Sequence, residues 1–170
     1  MPPNGVIVAF YGDQGVGVTP SAVLQLTKQE NAEILFLLGD FEYGAGPVEW
    51  EKQFNSILGP EYPIIGSVGN HDVVSLSSWV QLSQLLVARL VRTNMSKTCF
   101  GQNGVNMVCS YKGLSFYSSG NIYIFLYLPM GPWCIFVQFS FQSSNAFFKS
   151  FSDLKIIFAF RNWHTRRGSS

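Results

Sequence analysis

A chain of 170 residues with 47% hydrophobic and 12% charged residues can bury one sizeable core, which excludes an intrinsically disordered segment and leaves no room for two full domains. Its formal net charge of +1 gives no electrostatic case for nucleic-acid binding. Nine of the ten acidic residues lie at or before Asp72, the local enrichment that a hard-cation site needs and that a solvated helix face also produces.

The start, "MPPNGVIVAF", has neither a basic stretch nor a long apolar run, so no secretory signal is visible. From there, short apolar runs alternate with helix-like stretches. Strands are expected at 5–10 (GVIVAF), 34–38 (ILFLL) and 62–68 (YPIIGSV), and helices at 19–29 and 47–58. Thr19 and Pro20 suit the N-cap and first position of the first helix, and Pro47 opens the second. Strands alternating with helices imply right-handed crossovers and a mainly parallel sheet. A third helix is expected at 77–92, with Leu82, Leu85, Leu86 and Leu90 on one core-facing stripe.

Residues 106–119 read as a hairpin turning near Lys112 and Gly113. From Gly113 to Phe148 there is no charged residue, and 121–141 is long enough to raise a transmembrane helix. The run PMGP in its middle would break a helix, so a buried strand pair is the stronger reading and a membrane the lesser one. The three cysteines, Cys99, Cys109 and Cys134, are odd in number and lack metal-ligand spacing, so they read as buried free thiols.

The chemistry is concentrated after the first three strands: "YGDQG", then "LGDFEYG", then "VGNHD". Each time a glycine precedes a side chain able to hold a metal, namely Asp13, Asp40 and Asn70. If the strands are parallel neighbours, the three loops emerge at one edge of the sheet, where open α/β sheets bind their ligands. A nucleotide loop is disfavoured, because Gly12, Gly15 and Gly17 are not spaced as G-x-G-x-x-G and no Lys-Ser or Lys-Thr follows. Glu42 and Glu49 are expected to face solvent.

Taken together, the three loops resemble those of the calcineurin-like metallophosphoesterases, and within them the purple acid phosphatase-like branch, where a tyrosine follows the second aspartate by three residues. The resemblance implies an α/β fold, a β-sandwich flanked by helices. It implies a metal-dependent phosphoesterase whose dinuclear centre of iron, manganese or zinc activates water, acting on a small-molecule phosphate ester or a phosphoprotein. By the same resemblance Asp13, Asp40, Tyr43 and Asn70 match metal ligands, with Asp40 bridging. His71 matches the residue that orients or protonates the leaving group, and Asp72 would hold that imidazole. The stretch "LKIIFAFRNWH" is similar to the strand that delivers a further ligand, here His164, and residues 99–120 are similar to the hairpin region of a microbial subgroup. Arg161, Arg166 and Arg167 could meet substrate phosphate, although a basic frayed end is the preferred reading.

The family also uses a Gly-His-x-His motif that supplies one histidine to each metal, and this sequence, with two histidines in all, lacks it. A second reading follows: a truncated or catalytically inactive relative with at most partial metal binding.

Overall fold

In the computed structural model the described residues are 6–119, together with the strands at 123–130, 133–139, 148–151 and 154–160. The chain order is β1 (Val6–Gly12), α1 (Val18–Gln29), β2 (Ile34–Leu37), α2 (Pro47–Ile57), β3 (Ile64–Gly66) and α3 (Leu76–Arg92). Then come β4 (Cys99–Gln102), β5 (Asn106–Tyr111), β6 (Leu114–Ser119), β7 (Tyr123–Met130), β8 (Trp133–Phe139), β9 (Phe148–Phe151) and β10 (Leu154–Phe160).

These form a mixed α/β structure with two sheets and three helices among the described residues. The first sheet has the order β3-β2-β1-β10-β9, and the second β4-β5-β6-β7-β8. In the first, β1, β2, β3 and β10 run parallel and only β9 is reversed. The apolar run 34–37 is buried at every position, as a parallel strand covered on both faces requires.

Strand alternation sends side chains to two separate cores. One face of the first sheet, with Val8, Phe10, Ile34, Phe36 and Ile65, packs with Met107, Leu114 and Phe116 of the second sheet. Phe36 joins the layers, its ring centroid lying 5.8 Å from Phe10 and 5.7 Å from Phe116. The opposite face, with Ala9, Tyr11, Leu35, Leu37 and Ile64, packs with Leu24, Trp50, Phe54, Leu82 and Leu86 of the three helices.

The expected elements over 5–119 are present with ends displaced by a few residues, and Pro47 opens α2. The first helix differs at its start. It begins at Val18, with Gly17 at φ 132° as its cap, so Thr19 lies inside the first turn, and no side chain caps it. The hairpin turns at Lys112 and Gly113, both at positive φ (46° and 82°), the twist that suits a two-residue connection.

The stretch 121–141 contributes β7 and β8, an antiparallel strand pair as expected, in which Pro129 lies opposite Cys134, and no helix among the described residues is long and apolar enough to cross a membrane. One further point differs from expectation. Cys99 and Cys109, expected to be free thiols, form a disulfide. They lie directly opposite each other on β4 and β5 with Cα atoms 4.0 Å apart. The Ser110 N–H donates to the Thr98 carbonyl beside them, so theirs is the non-hydrogen-bonded type of pair, in which side chains come closest. Spacing along the chain does not reveal this, because the pairing depends on the register of β4 with β5.

The β4–β5 turn also touches the first sheet. Gly104 bridges to Ser67, and its carbonyl accepts the Val68 N–H at 2.6 Å. The hairpin thereby braces the chain just beyond β3.

Candidate functional site

Strands β1, β2 and β3 run parallel, so the segments that leave them emerge at one edge. Hydrogen bonds then tie those segments into one unit. The Gln14 N–H donates to the Asp40 carbonyl at 3.0 Å, joining the first loop to the second. Asp72 joins the second to the third: its Oδ2 accepts the Asp40 N–H at 2.9 Å and the Gly69 N–H at 2.8 Å, and its Oδ1 accepts the Phe41 N–H at 2.8 Å.

Glycine permits that closeness. A Cβ on Gly39 would lie 2.6 Å from the Gly69 Cα, and one on Gly69 would lie 2.5 Å from the Asp40 nitrogen. No other residue fits two backbones so near each other.

Asp40 occupies the centre and is 8% exposed. Its Oδ1 accepts the His71 N–H at 2.9 Å, and its Oδ2 accepts from the Tyr43 hydroxyl at 3.2 Å. The Tyr43 ring leans on the His71 imidazole, with centroids 4.8 Å apart and planes tilted by 44°. The imidazole side of His71 remains exposed, as does Asn70.

The backbone here is strained. Asp13, Asp40 and Tyr43 have φ of 53°, 57° and 49°, left-handed values that are uncommon for residues with a Cβ. Such conformations persist only where surrounding contacts enforce them, and they concentrate at ligand clamps and active sites. Here the enforcing contacts include the hydrogen bonds around Asp40.

Asp72, expected to hold the His71 imidazole, has a different engagement, because both its oxygens accept backbone N–H groups. It is 4% exposed. Burial pushes its carboxyl up to about 6, against the pull of the Phe41, Gly69 and Asp40 amides, while the Asp40 charge adds to the rise. Its part is to position the second and third loops.

The structure therefore brings Asp40, Tyr43, His71 and Asp72 into direct contact, places Asp13 next to the Gln14 link, and leaves Asn70 between Gly69 and His71. His164, Arg161, Arg166 and Arg167 lie outside the described residues.

Two residues here escaped the sequence. Glu42, expected to face solvent, accepts the Gly46 N–H at 2.7 Å and the Ser78 hydroxyl at 2.6 Å. It thus holds the start of α2 and ties it to α3, and the available signal was its place just before the Gly46-Pro47 helix start. Gln14 is 5% exposed, and its Nε2 finds no partner among the described residues. Nothing in the sequence marked it beyond its place beside Asp13.

The donors gathered at Asp40 are a carboxylate and a phenol, with a carboxamide and an imidazole on the adjoining loop, a set that suits manganese, iron or zinc. Among the described residues no three His, Cys, Asp or Glu side chains are grouped to hold a metal ion. The Tyr43 hydroxyl and the Asp40 Oδ2 are joined by a hydrogen bond at 3.2 Å, a separation that two oxygen ligands of one ion, each about 2.1 Å from it, would also span. Comparison of the chain with protein-family models, with curated proteins and with solved structures finds no match.

Proposed function

We propose that this chain is a metal-dependent phosphoesterase domain, with the helix-flanked β-sandwich and the loop chemistry of the calcineurin-like metallophosphoesterases and their purple acid phosphatase-like branch. The observation that carries the reading is the buried Asp40 carboxylate, bonded at once to Tyr43 and to the His71 backbone, in three loops that meet at the carboxyl edge of a parallel sheet.

Asp40 and Tyr43 would hold one cation between them, and Asp13, Asn70 and His164 would complete a set for two cations of the iron, manganese or zinc type. Support for including His164 comes from β10, whose last residue, Phe160, is in register with Gly12. This strand therefore brings the chain to the site edge four residues earlier. When bound, such cations lower the pKa of water and offset charge on the phosphoryl oxygens.

The protein's own groups then have separate tasks. His71 offers an exposed imidazole to give a proton to the departing alcohol oxygen, and its ring is steadied by Tyr43. Asp72 keeps the second and third loops in place. The buried Nε2 of Gln14 supplies a donor for an oxygen brought into the first loop. Substrates of this reading are small phosphate esters or phosphoproteins.

The absence of Gly-His-x-His from these residues favours a second reading, an inactive relative that binds metal in part. Elemental analysis of the purified protein, with hydrolysis of p-nitrophenyl phosphate in added manganese, zinc or iron, separates the two. About two metals per chain with turnover supports the phosphoesterase. One metal or fewer, without turnover, leaves the second.

A further inference from the structure

Each candidate site loop ends in exposed aliphatic residues. Val18 is the first residue of α1, Val48 the second of α2 and Leu76 the first of α3, while Val73 and Val74 follow Asp72 directly. All five are more than half exposed, from Val73 at 55% to Val18 at 89%. Helices that follow parallel strands start at the edge where those strands end, so these residues stand at the same edge as Asp13, Asp40 and His71. Single exposed valines are ordinary. Five at the ends of three adjoining polar loops form an apolar rim of the kind that marks a binding surface.

Charge narrows what the rim could receive. Residues 12–18, 38–48 and 67–76 contain no Lys or Arg, and they carry the carboxylates of Asp13, Asp40, Glu42 and Asp72. Among these described loops no side chain would pair with a second phosphate, as in a nucleotide, or with an acidic peptide; Arg161, Arg166 and Arg167 lie outside the described residues. An uncharged hydrocarbon meets the aliphatic rim without burying an unpaired charge.

We infer that the site takes phosphate monoesters of apolar alcohols, with the phosphate at Asp40 and the alkyl or aryl part against Val18, Val48, Val73, Val74 and Leu76. This deepens the phosphoesterase reading and rests on it. The reaction balances as hydrolysis: water supplies a hydroxyl to phosphorus, the P–O bond to the alcohol breaks, and the alcohol oxygen takes a proton.

The experiment is a steady-state series of n-alkyl phosphates from ethyl to octyl, run on metal-supplemented protein beside a phosphoserine peptide. The expected result is a KM that falls about two- to fourfold per methylene over the first carbons, from apolar burial, and a much poorer peptide. The double variant Val74→Ser/Leu76→Ser is expected to flatten that dependence on chain length. Equal KM along the series, or preference for the peptide, overturns this inference and leaves the phosphoesterase standing. No turnover of any ester overturns both. Gel filtration adds one more arm: a dimer that the double variant converts to monomer, with a flat series, makes the rim an interface between copies and overturns the substrate assignment.

Discussion

The carboxylate of Asp72 meets the backbone N–H of Asp40 at 2.9 Å, across 32 residues of sequence and from one loop of the site to another. A side chain four-hundredths exposed thereby sets the position of the residue at the centre of the site.

Asp72→Ala leaves the amides of Asp40, Phe41 and Gly69 without their acceptor. Each unsatisfied buried donor costs about 1–3 kcal/mol, so the expected loss is on the order of 3–5 kcal/mol after partial relaxation. Urea unfolding of the metal-free protein measures it, and a loss below 1 kcal/mol would show that water replaces the carboxylate.

The same residue makes stability depend on pH. With its carboxyl pushed up by burial to about 6 from 3.8, the folded state binds the proton more tightly than the unfolded chain. Its contribution is therefore fully present below the unfolded value and is lost as pH rises through about 6. Asp72→Asn does not titrate there. The stability difference between wild type and Asp72→Asn, both metal-free, should move toward the variant by up to about 3 kcal/mol as pH rises from about 4 to about 7. A constant difference would mean that the three amides keep the carboxylate charged throughout.

Asp40→Asn keeps the shape and an oxygen acceptor for the His71 N–H while removing the charge. Under the metal-site reading it should abolish metal uptake, with metal-free stability changed by no more than about 1–2 kcal/mol. Elemental analysis paired with thermal unfolding checks this, and unchanged metal uptake in a destabilised variant would make Asp40 purely structural.

Arg89 gives a prediction away from the site. Its guanidinium donates to the carbonyls of Gly59, Pro60 and Tyr62 at 2.9, 3.2 and 3.3 Å and to the Asn55 side chain at 2.5 Å. Burial lowers its pKa to about 10, which leaves it charged at neutral pH. Arg89→Met should cost roughly 3 kcal/mol, because the turn before β3 loses its donors. Arg89→Lys should recover little, since one ammonium cannot reproduce the planar fork. Both are read by chemical denaturation.

The Cys99–Cys109 bridge closes a sequence separation of 10 residues, for which chain-entropy arguments give about 2–3 kcal/mol. A reducing phosphine should therefore lower Tm by roughly 5–10 °C. The variant Cys99→Ser, tested without reductant, should show the same shift.

The fold was legible where the physics is local. Ile34–Leu37 could hardly be anything but a covered strand, and Pro47 marked a helix start. The site was legible as three loops with donor residues, since a glycine before a polar side chain at a strand end can be seen in the letters. Contacts set by tertiary register could not be seen. The Asp72 carboxylate reaches its amides only once β2 and β3 are paired, and the disulfide exists only in the register of β4 with β5. Glu42 looked like a surface charge because Ser78, one of its partners, is 36 residues away. Gly17 replaced Thr19 as the cap because its φ of 132° lets the chain turn from the first loop into α1.

The place of β1 in its sheet bears on how the molecule is made. Val6–Gly12 is translated well before one of its two neighbours, Leu154–Phe160. Until that strand emerges, a row of amides and carbonyls beside the apolar sequence VIVAFYG stays open on a nascent chain, the kind of edge that recruits other strands. Closing it is a contact of very long loop, and such contacts slow folding. The yield of soluble protein should therefore depend on how this edge is shielded during synthesis, and chaperones that hold extended apolar segments should raise it.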